Sequence, residues 1–401
     1  MTGDLESMKE TMLIVNNNLR IGGVQKALMN MLNELYDQYD ITLFLFTKMG
    51  EYHKQLPPGI KVIEAQSFLQ LLGMSQSEAK EKGLFWWLLR GACAFFTTKL
   101  FNNKIPFKIL MMFQKQLGTY DYGISCLQCS NEKNFYGGCN EFLLEKVNAK
   151  EKITFVHCDF LNYGGNTKHN RNLYKKFDKI VAVSEGCKEH FIEAMPSLEE
   201  KVYCVRNFNN YPEITQQASN EAIVYDQENF NIVTVSRLGK EKGITRCISI
   251  IKSLVERGAK VKWHIVGDGI VRREIEELIS KENMKEHIKL YGNQTNPYSY
   301  MKNADLFLLP SYHEAAPMVF DEAKYLGVPI LATKTTSTYE MIEACAAGWV
   351  CENKDEAINE KLEYIVEHID EVHEVKNSLK KQKFNNEESI RQFIFMLSGG
   401  E

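Results

Sequence analysis

The chain has 401 residues, of which 44% are hydrophobic and 25% charged, and a formal net charge of −4 at pH 7. This length supports two folding units with separate cores, and the slightly acidic balance excludes a purely electrostatic nucleic-acid binder. The ten cysteines sit among apolar neighbours, as in Gly91-Ala92-Cys93-Ala94, which fits reduced thiols and a cytoplasmic setting better than a disulfide framework.

Residues 1–10 are polar and Met12–Val15 is too short for an apolar h-region, so no secretory leader is expected. Thr11–Val15 reads as a buried strand. It runs through an asparagine-rich turn to Ile21-Gly22-Gly23-Val24-Gln25, after which Ala27, Leu28, Met31, Leu32 and Leu35 recur at helical spacing. Paired glycines at a strand-to-helix turn let a backbone approach a ligand, and the helix start offers N–H groups to a phosphate. The same glycines also serve a plain tight turn. Strands follow at Ile41–Phe46 and Lys61–Glu64.

Residues 82–116 differ from the rest. Lys82, Arg90, Lys99, Lys104, Lys108 and Lys115 alternate with Trp86, Trp87, Phe95, Phe96, Phe101, Phe107 and Phe113, without one carboxylate. Arg90 and Lys99 interrupt the run too early for a transmembrane helix. Two readings stay open: an amphipathic segment in a membrane interface, or a helical insertion that buries its aromatics. The basic-aromatic mixture favours peripheral membrane contact.

Strands are expected at Tyr120–Cys126 and Lys152–His157. Cys126 and Cys129 have zinc-ligand spacing, but Cys139 and Cys158 supply no matching pair, so no metal site is expected. His157 stands at the C-terminal end of its strand, the edge where open parallel sheets bind ligands, although a lone histidine there is usually structural. Lys179–Glu185 is a strand, Gly186–Ala194 a helix, and Lys201–Asn207 the last strand of the first half. Residues 209–227 are polar, contain Pro212 and lack a period, and read as a linker.

In the second half, the strand Asn231–Leu238 leads through Gly239–Gly243 to a helix from Ile244 to Glu256. Arg237 and Lys242 flank this turn, one a planar fork for phosphate oxygens and the other a compact charge. Gly267-Asp268-Gly269 follows the strand at Lys262–Val266. Arg272 stands where a dinucleotide fingerprint needs its third glycine, which argues against an NAD enzyme. Strand Ile288–Asn293 and a short helix Tyr298–Asn303 precede the apolar strand Ala304–Pro310. Glu314 and Glu322 lie eight apart around a helix start near Pro317. Two carboxylates and the backbone of Ala316, Pro317, Met318 and Val319 therefore meet at one junction, suited to an anion at the amides and to hydroxyl donors at the carboxylates. Ile330–Thr333 is a strand, Thr335–Glu340 a turn, and Glu387–Leu397 an amphipathic helix.

Glu314-x7-Glu322, Gly327-Val328-Pro329, Glu340 and the Arg237/Lys242 pair together resemble the nucleotide-sugar signature of retaining glycosyltransferase family 4, including bacterial cell-envelope polysaccharide glycosyltransferases. The resemblance is specific over 231–342 and loose over 1–210. It implies an α/β GT-B fold, two Rossmann-like domains facing each other across a deep cleft. The expected acceptor-binding domain is 1–209, with a helix from 386–401 crossing back, and the nucleotide-sugar domain is 210–385. By the same resemblance, Gly22 and Gly23 face a diphosphate, His157 the donor sugar, and Arg237 and Lys242 the pyrophosphate. The backbone at Asn293 and Gln294 meets the base, Glu314 and residues 316–319 the donor, and Glu322 the ribose. In many members the turn at 335–340 is glycine-rich; here hydroxyl residues stand there.

The resemblance implies a hexosyltransferase moving sugar from a nucleotide-diphosphate donor, a UDP-sugar, to a saccharide or lipid-linked acceptor in capsule or cell-envelope synthesis. No Asp-x-Asp pair is present, so fixed cations are expected to replace a metal, and no cofactor is expected. No nucleic-acid partner is expected. The location implied is cytoplasmic, peripheral on the inner face of the plasma membrane. The alternative is a non-catalytic GT-B partner subunit. A phosphorylase would need a lysine-bound pyridoxal phosphate, for which no residue stands out.

Overall fold

Short apolar runs such as Leu306–Leu309 and Ile330–Thr333 are buried on both faces, as strands of a parallel sheet covered by helices must be. The computed structural model describes residues 9–220 and 223–400. The polar start read as leaderless falls mostly outside those residues. Two units separate, one comprising the chain up to Phe208 together with Glu387 onward, the other Asn209–Asn386.

The first unit takes β1 (Thr11–Asn16), α1 (Gly23–Leu35), β2 (Asp40–Leu45), β3 (Lys61–Glu64), α2 (Gln76–Lys82), α3 (Leu84–Phe95) and α4 (Lys104–Met112). It continues with β4 (Thr119–Ser125), α5 (Cys139–Lys146), β5 (Asn148–Val156), α6 (Lys168–Tyr174), β6 (Lys179–Ala182), α7 (Glu185–Ala194) and β7 (Val202–Cys204). The strands order as β3-β2-β1-β4-β5-β6-β7, all parallel. The direction of winding therefore reverses between β1 and β4, the place where such sheets open a crevice. Phe44 and Phe142 stack at 4.3 Å in the core beneath it. Ser184, expected as a strand end, caps α7 by accepting from the Cys187 N–H at 3.1 Å.

The second unit opens with α8 (Tyr211–Ser219), then β8 (Phe230–Val235), α9 (Ile244–Glu256), β9 (Val261–Val266), α10 (Arg272–Lys281), β10 (Ile288–Gly292) and α11 (Tyr298–Met301). After these come β11 (Leu306–Leu309), α12 (Met318–Tyr325), β12 (Ile330–Thr333), β13 (Gly348–Cys351), α13 (Asp355–Glu367) and α14 (Ile369–Lys381). The parallel order is β10-β9-β8-β11-β12-β13, with its reversal between β8 and β11. Asn209 and Asn386, the first and last residues of this unit, close it by bonding to each other in both directions.

Helix α8 corrects the expectation of a linker over 209–227. Asn210 caps it, its side-chain oxygen accepting from the Glu213 N–H at 3.2 Å. Pro212 lies in the first turn, the one stretch where a missing N–H is harmless. Ile214 and Ala218, one turn apart, give the helix its buried side. Asn210→Ala is expected to lower the stability of this unit by about 1 kcal/mol, read from the denaturant midpoint.

The last helix, α15 (Glu387–Leu397), belongs to the first unit. Phe393 is buried edge-on to Tyr39 and Phe208, and the Lys179 ammonium donates to the Leu397 carbonyl at 2.8 Å. Residues 82–116 bury part of their apolar side chains and leave others exposed. They fold into α3, a π-helical turn at Phe96–Leu100 and α4. Trp86 and Leu89 pack on the core, and Phe107, Leu110 and Met111 are buried. Arg90 turns inward, donating to the Met74 carbonyl at 2.8 Å and Gln76 Oε1 at 3.0 Å. Among the described residues no helix is long and apolar enough to cross a membrane.

Candidate functional site

Three charged residues of the second unit, Lys242, Arg246 and Glu314, meet where its sheet reverses. Strand β8 ends at Val235 and β11 at Leu309, and the loops after both touch. Gly243 makes this contact feasible. Its φ is 64°, and a Cβ built there would lie 2.1 Å from the Pro310 carbonyl oxygen, so only glycine fits both the backbone and the space. The approach seats Lys242 against Glu314: Nζ lies 2.5 Å from Oε1. Ser311 Oγ donates to the same oxygen at 2.6 Å. Both bonds fall on Oε1, and among the described residues Oε2 has no protein partner. The side chains of Lys242 and Glu314 are only 16% and 10% exposed, a depth at which either charge alone would be costly.

Arg246 braces the same junction and was not anticipated. Its Nε and Nη2 donate to the Pro310 carbonyl at 3.1 and 2.5 Å, and Nη2 also reaches Asn353 Oδ1 at 2.9 Å. The guanidinium sits 4.1 Å from the Tyr312 ring centroid. One signal was present in the sequence: Arg246 lies one turn before Ile250 on the buried stripe of α9, and a cation in an apolar stripe needs a partner. Ser311, Asn353 and Tyr298 were also missed, since single polar residues in loops carry no periodic signal.

Arg237 does not join Lys242. Its side chain is exposed, and among the described residues its one close carboxylate is Glu241 at 3.7 Å, a contact worth little in water. Glu322, on α12, is 3% exposed and accepts from the Tyr298 hydroxyl at 3.2 Å. Helix α12 starts at Met318, with Pro317 in extended conformation at its cap position and no side chain capping it. The backbone of Ala316, Pro317, Met318 and Val319 thus leads straight into a helix N-terminus. Asn293 and Gln294 are exposed after β10. In the turn after β12, Thr338 Oγ1 accepts from the Thr335 N–H at 2.9 Å, so a hydroxyl closes the bend that glycines often make. The Gly267-Asp268-Gly269 turn has a packing explanation: added Cβ atoms would overlap the carbonyl oxygens of Ser236 and Leu238, at 1.8 and 2.4 Å.

In the first unit, Gly22 is extended (φ 176°) ahead of α1, and nothing lies within 4 Å of a Cβ placed on Gly23. At Gly23 the backbone is open to close approach, whereas a Cβ on Gly22 would lie 2.7 Å from Gln25 Oε1. His157, just after β5, faces a small recess lined by Leu28, Met31, Cys126, Phe155 and Phe208. Its ring stacks on Phe155, with centroids 5.8 Å apart. Burial among these groups pulls its pKa down to about 4, so the imidazole is neutral at pH 7. Because the folded value lies below the unfolded one of about 6.5, its contribution to stability is complete above pH 6.5 and is lost as pH falls toward 4. His157→Gln is expected to flatten the fall of the unfolding midpoint across that interval; an unchanged slope would assign the acid sensitivity elsewhere.

Cys126, Cys129, Cys139 and Cys158 are all buried, and burial pushes the Cys126 thiol up to about 12. Asn140 donates to Cys129 Sγ at 3.0 Å. Among the described residues no three His, Cys, Asp or Glu side chains stand together as a metal site.

Residues 216–382, most of the second unit, match the family described as Glycosyl transferases group 1. An uncharacterized glycosyltransferase of Methanocaldococcus jannaschii is 30% identical over 165 residues, 40% of each chain. The capsular polysaccharide biosynthesis glycosyltransferase CapM of Staphylococcus aureus is 26% identical over 198 residues, 47% of this chain and 52% of its own. The matches thus span about half the length of these relatives or less. Anabaena HepE, solved with UDP and glucose, superposes with a TM-score of 0.67 over 97% of this chain and 99% of its own, at 17% identity. That likeness establishes the fold as GT-B: two parallel α/β units of Rossmann type.

Proposed function

We propose that this chain is a retaining glycosyltransferase that moves a sugar from a UDP-sugar to a saccharide or lipid-linked acceptor in capsule or cell-envelope polysaccharide synthesis. One observation carries the reading: a shielded lysine, glutamate and serine cluster at the reversal point of a sheet whose residues match the group 1 glycosyltransferases. The capsule relative and the UDP-bound structural neighbour support the pathway class and the nucleotide.

The chemistry follows from the charges. As the bond between the anomeric carbon and the β-phosphate oxygen breaks, negative charge grows on the diphosphate. Lys242 stabilises it, aided by Arg237 swinging in from solvent and by the N-terminus of α12. Fixed cations thus fill the role a metal would fill elsewhere. Glu314 remains hydrogen-bonded to Ser311 and uses its unoccupied Oε2 to accept from a hydroxyl of the donor sugar. Glu322 receives the ribose hydroxyls, sharing its carboxylate with Tyr298. Asn293 lies toward the base. Retention needs no covalent nucleophile. The acceptor oxygen bonds to the anomeric carbon on the face the diphosphate leaves, and its proton passes to the departing phosphate oxygen.

Thermal-shift screening against UDP-, GDP- and ADP-sugars, paired with an assay for released nucleotide, tests the proposal. UDP-sugars are expected to raise the midpoint, and released UDP to rise with added acceptor. No shift with any nucleotide sugar would overturn the reading. A shift without turnover across an acceptor panel would move it to a non-catalytic partner subunit.

A further inference from the structure

We propose that the outer faces of α3 and α4 form a docking surface for an anionic lipid bilayer. The two helices lie antiparallel. Phe68 packs against Trp86 near the start of α3 and against Phe113 at the end of α4. Phe135 lies beneath Arg90 and beside Phe107 midway along both. These contacts engage only part of the apolar side chains of the two helices. On the opposite side, Leu84, Leu88 and Phe95 of α3 and Ile105, Ile109 and Met112 of α4 are each at least half exposed. Nearly half of the large apolar side chains left exposed among the described residues lie between Leu84 and Phe113. Single exposed apolar residues are ordinary, whereas a run on adjacent helices marks a binding face.

The charges identify what that face meets. No carboxylate occurs from Gly83 to Gln116, while Lys99, Lys104, Lys108 and Lys115 are exposed among the apolar residues. Neighbouring elements neutralise one of the four: Lys104 pairs with Glu132 at 2.9 Å. Among the described residues Lys99, Lys108 and Lys115 have no carboxylate partner. Aromatic and aliphatic side chains bordered by unpaired lysines suit the boundary between acyl chains and anionic headgroups. A second copy of this face would oppose lysine to lysine. Helix α3 has twelve residues, about 18 Å, against a hydrocarbon core of about 30 Å, so it lies in the interface rather than crossing it. This inference does not depend on the proposed sugar transfer, and its test uses no sugar.

The test is flotation of the full chain with vesicles of phosphatidylcholine, alone or in an equimolar mixture with phosphatidylglycerol. Wild-type protein is expected to float with the mixed vesicles, weakly with the neutral ones, and less as salt rises. Each lysine near an anionic surface is worth roughly fivefold in partitioning. Lys99→Glu with Lys108→Glu is therefore expected to cut binding by more than tenfold. Leu88→Ser with Ile109→Ser and Met112→Ser should do the same. These side chains are exposed, so both variants are expected to keep the wild-type unfolding midpoint. The proposal is overturned if wild type does not float, if either variant floats as wild type does, or if sedimentation shows a dimer that the serine variant dissociates.

Discussion

Lys242→Gln is expected to lower the turnover of sugar transfer by two to three orders of magnitude while leaving donor affinity within about tenfold. Glutamine keeps a donor near Glu314 but removes the charge. The loss should fall mainly on kcat, because the ammonium acts on negative charge that appears only as the glycosidic bond breaks. Lys242→Ala should lose as much activity and some stability as well, since it strands a carboxylate that is 10% exposed with only Ser311 as partner. Arg237→Ala should move in the same direction, with a smaller effect on the folded state because its side chain is in solvent. Glu322→Ala should raise the KM for the nucleotide sugar while also freeing the Tyr298 hydroxyl inside the core. Parallel assays of turnover and unfolding midpoint on the four variants separate these outcomes. Wild-type turnover in Lys242→Gln would remove Lys242 from the chemistry.

Most strands were legible because they are buried apolar runs, and parallel strands demand that pattern; β13, only partly buried, was not anticipated. Residues 209–227 show where such reading stops. Periodicity is a poor guide in a helix of nine residues with only two buried positions. Pro212 was taken as a breaker although it lies in the turn where proline is tolerated. The candidate site was legible in part. Lys242 and Glu314 were named from motif spacing, and the contact of two loops across the β8–β11 reversal brings them together. Arg237 and Glu322 came from the same motif, yet one points to solvent and the other into the core. Motif spacing places a Cα and says nothing about the rotamer. Residues 82–116 posed a choice between packing and exposure that composition could not resolve, because both hold: the same two helices bury one side and present the other.

Gly243→Ala is expected to destabilise the second unit by about 3 kcal/mol, lowering its unfolding midpoint by roughly 6 to 12 °C, and to reduce transfer at permissive temperature. Two penalties add. At φ 64° alanine is strained wherever it stands. In addition, its Cβ would be driven against the Pro310 carbonyl, 2.1 Å away, which is backbone and cannot swing aside. The Pro310 oxygen is also the acceptor for Arg246, so relief by moving the 310–314 loop would stretch that clamp and carry Glu314 away from Lys242. Gly258→Ala separates the two causes. Gly258 also has positive φ, at 93°, but nothing lies within 4 Å of an added Cβ. It should therefore cost only the backbone strain, about 1 kcal/mol, with unaltered turnover. If Gly243→Ala proves as mild as Gly258→Ala in both midpoint and turnover, the two loops are not in contact in solution, and the lysine and glutamate are not held together by the fold.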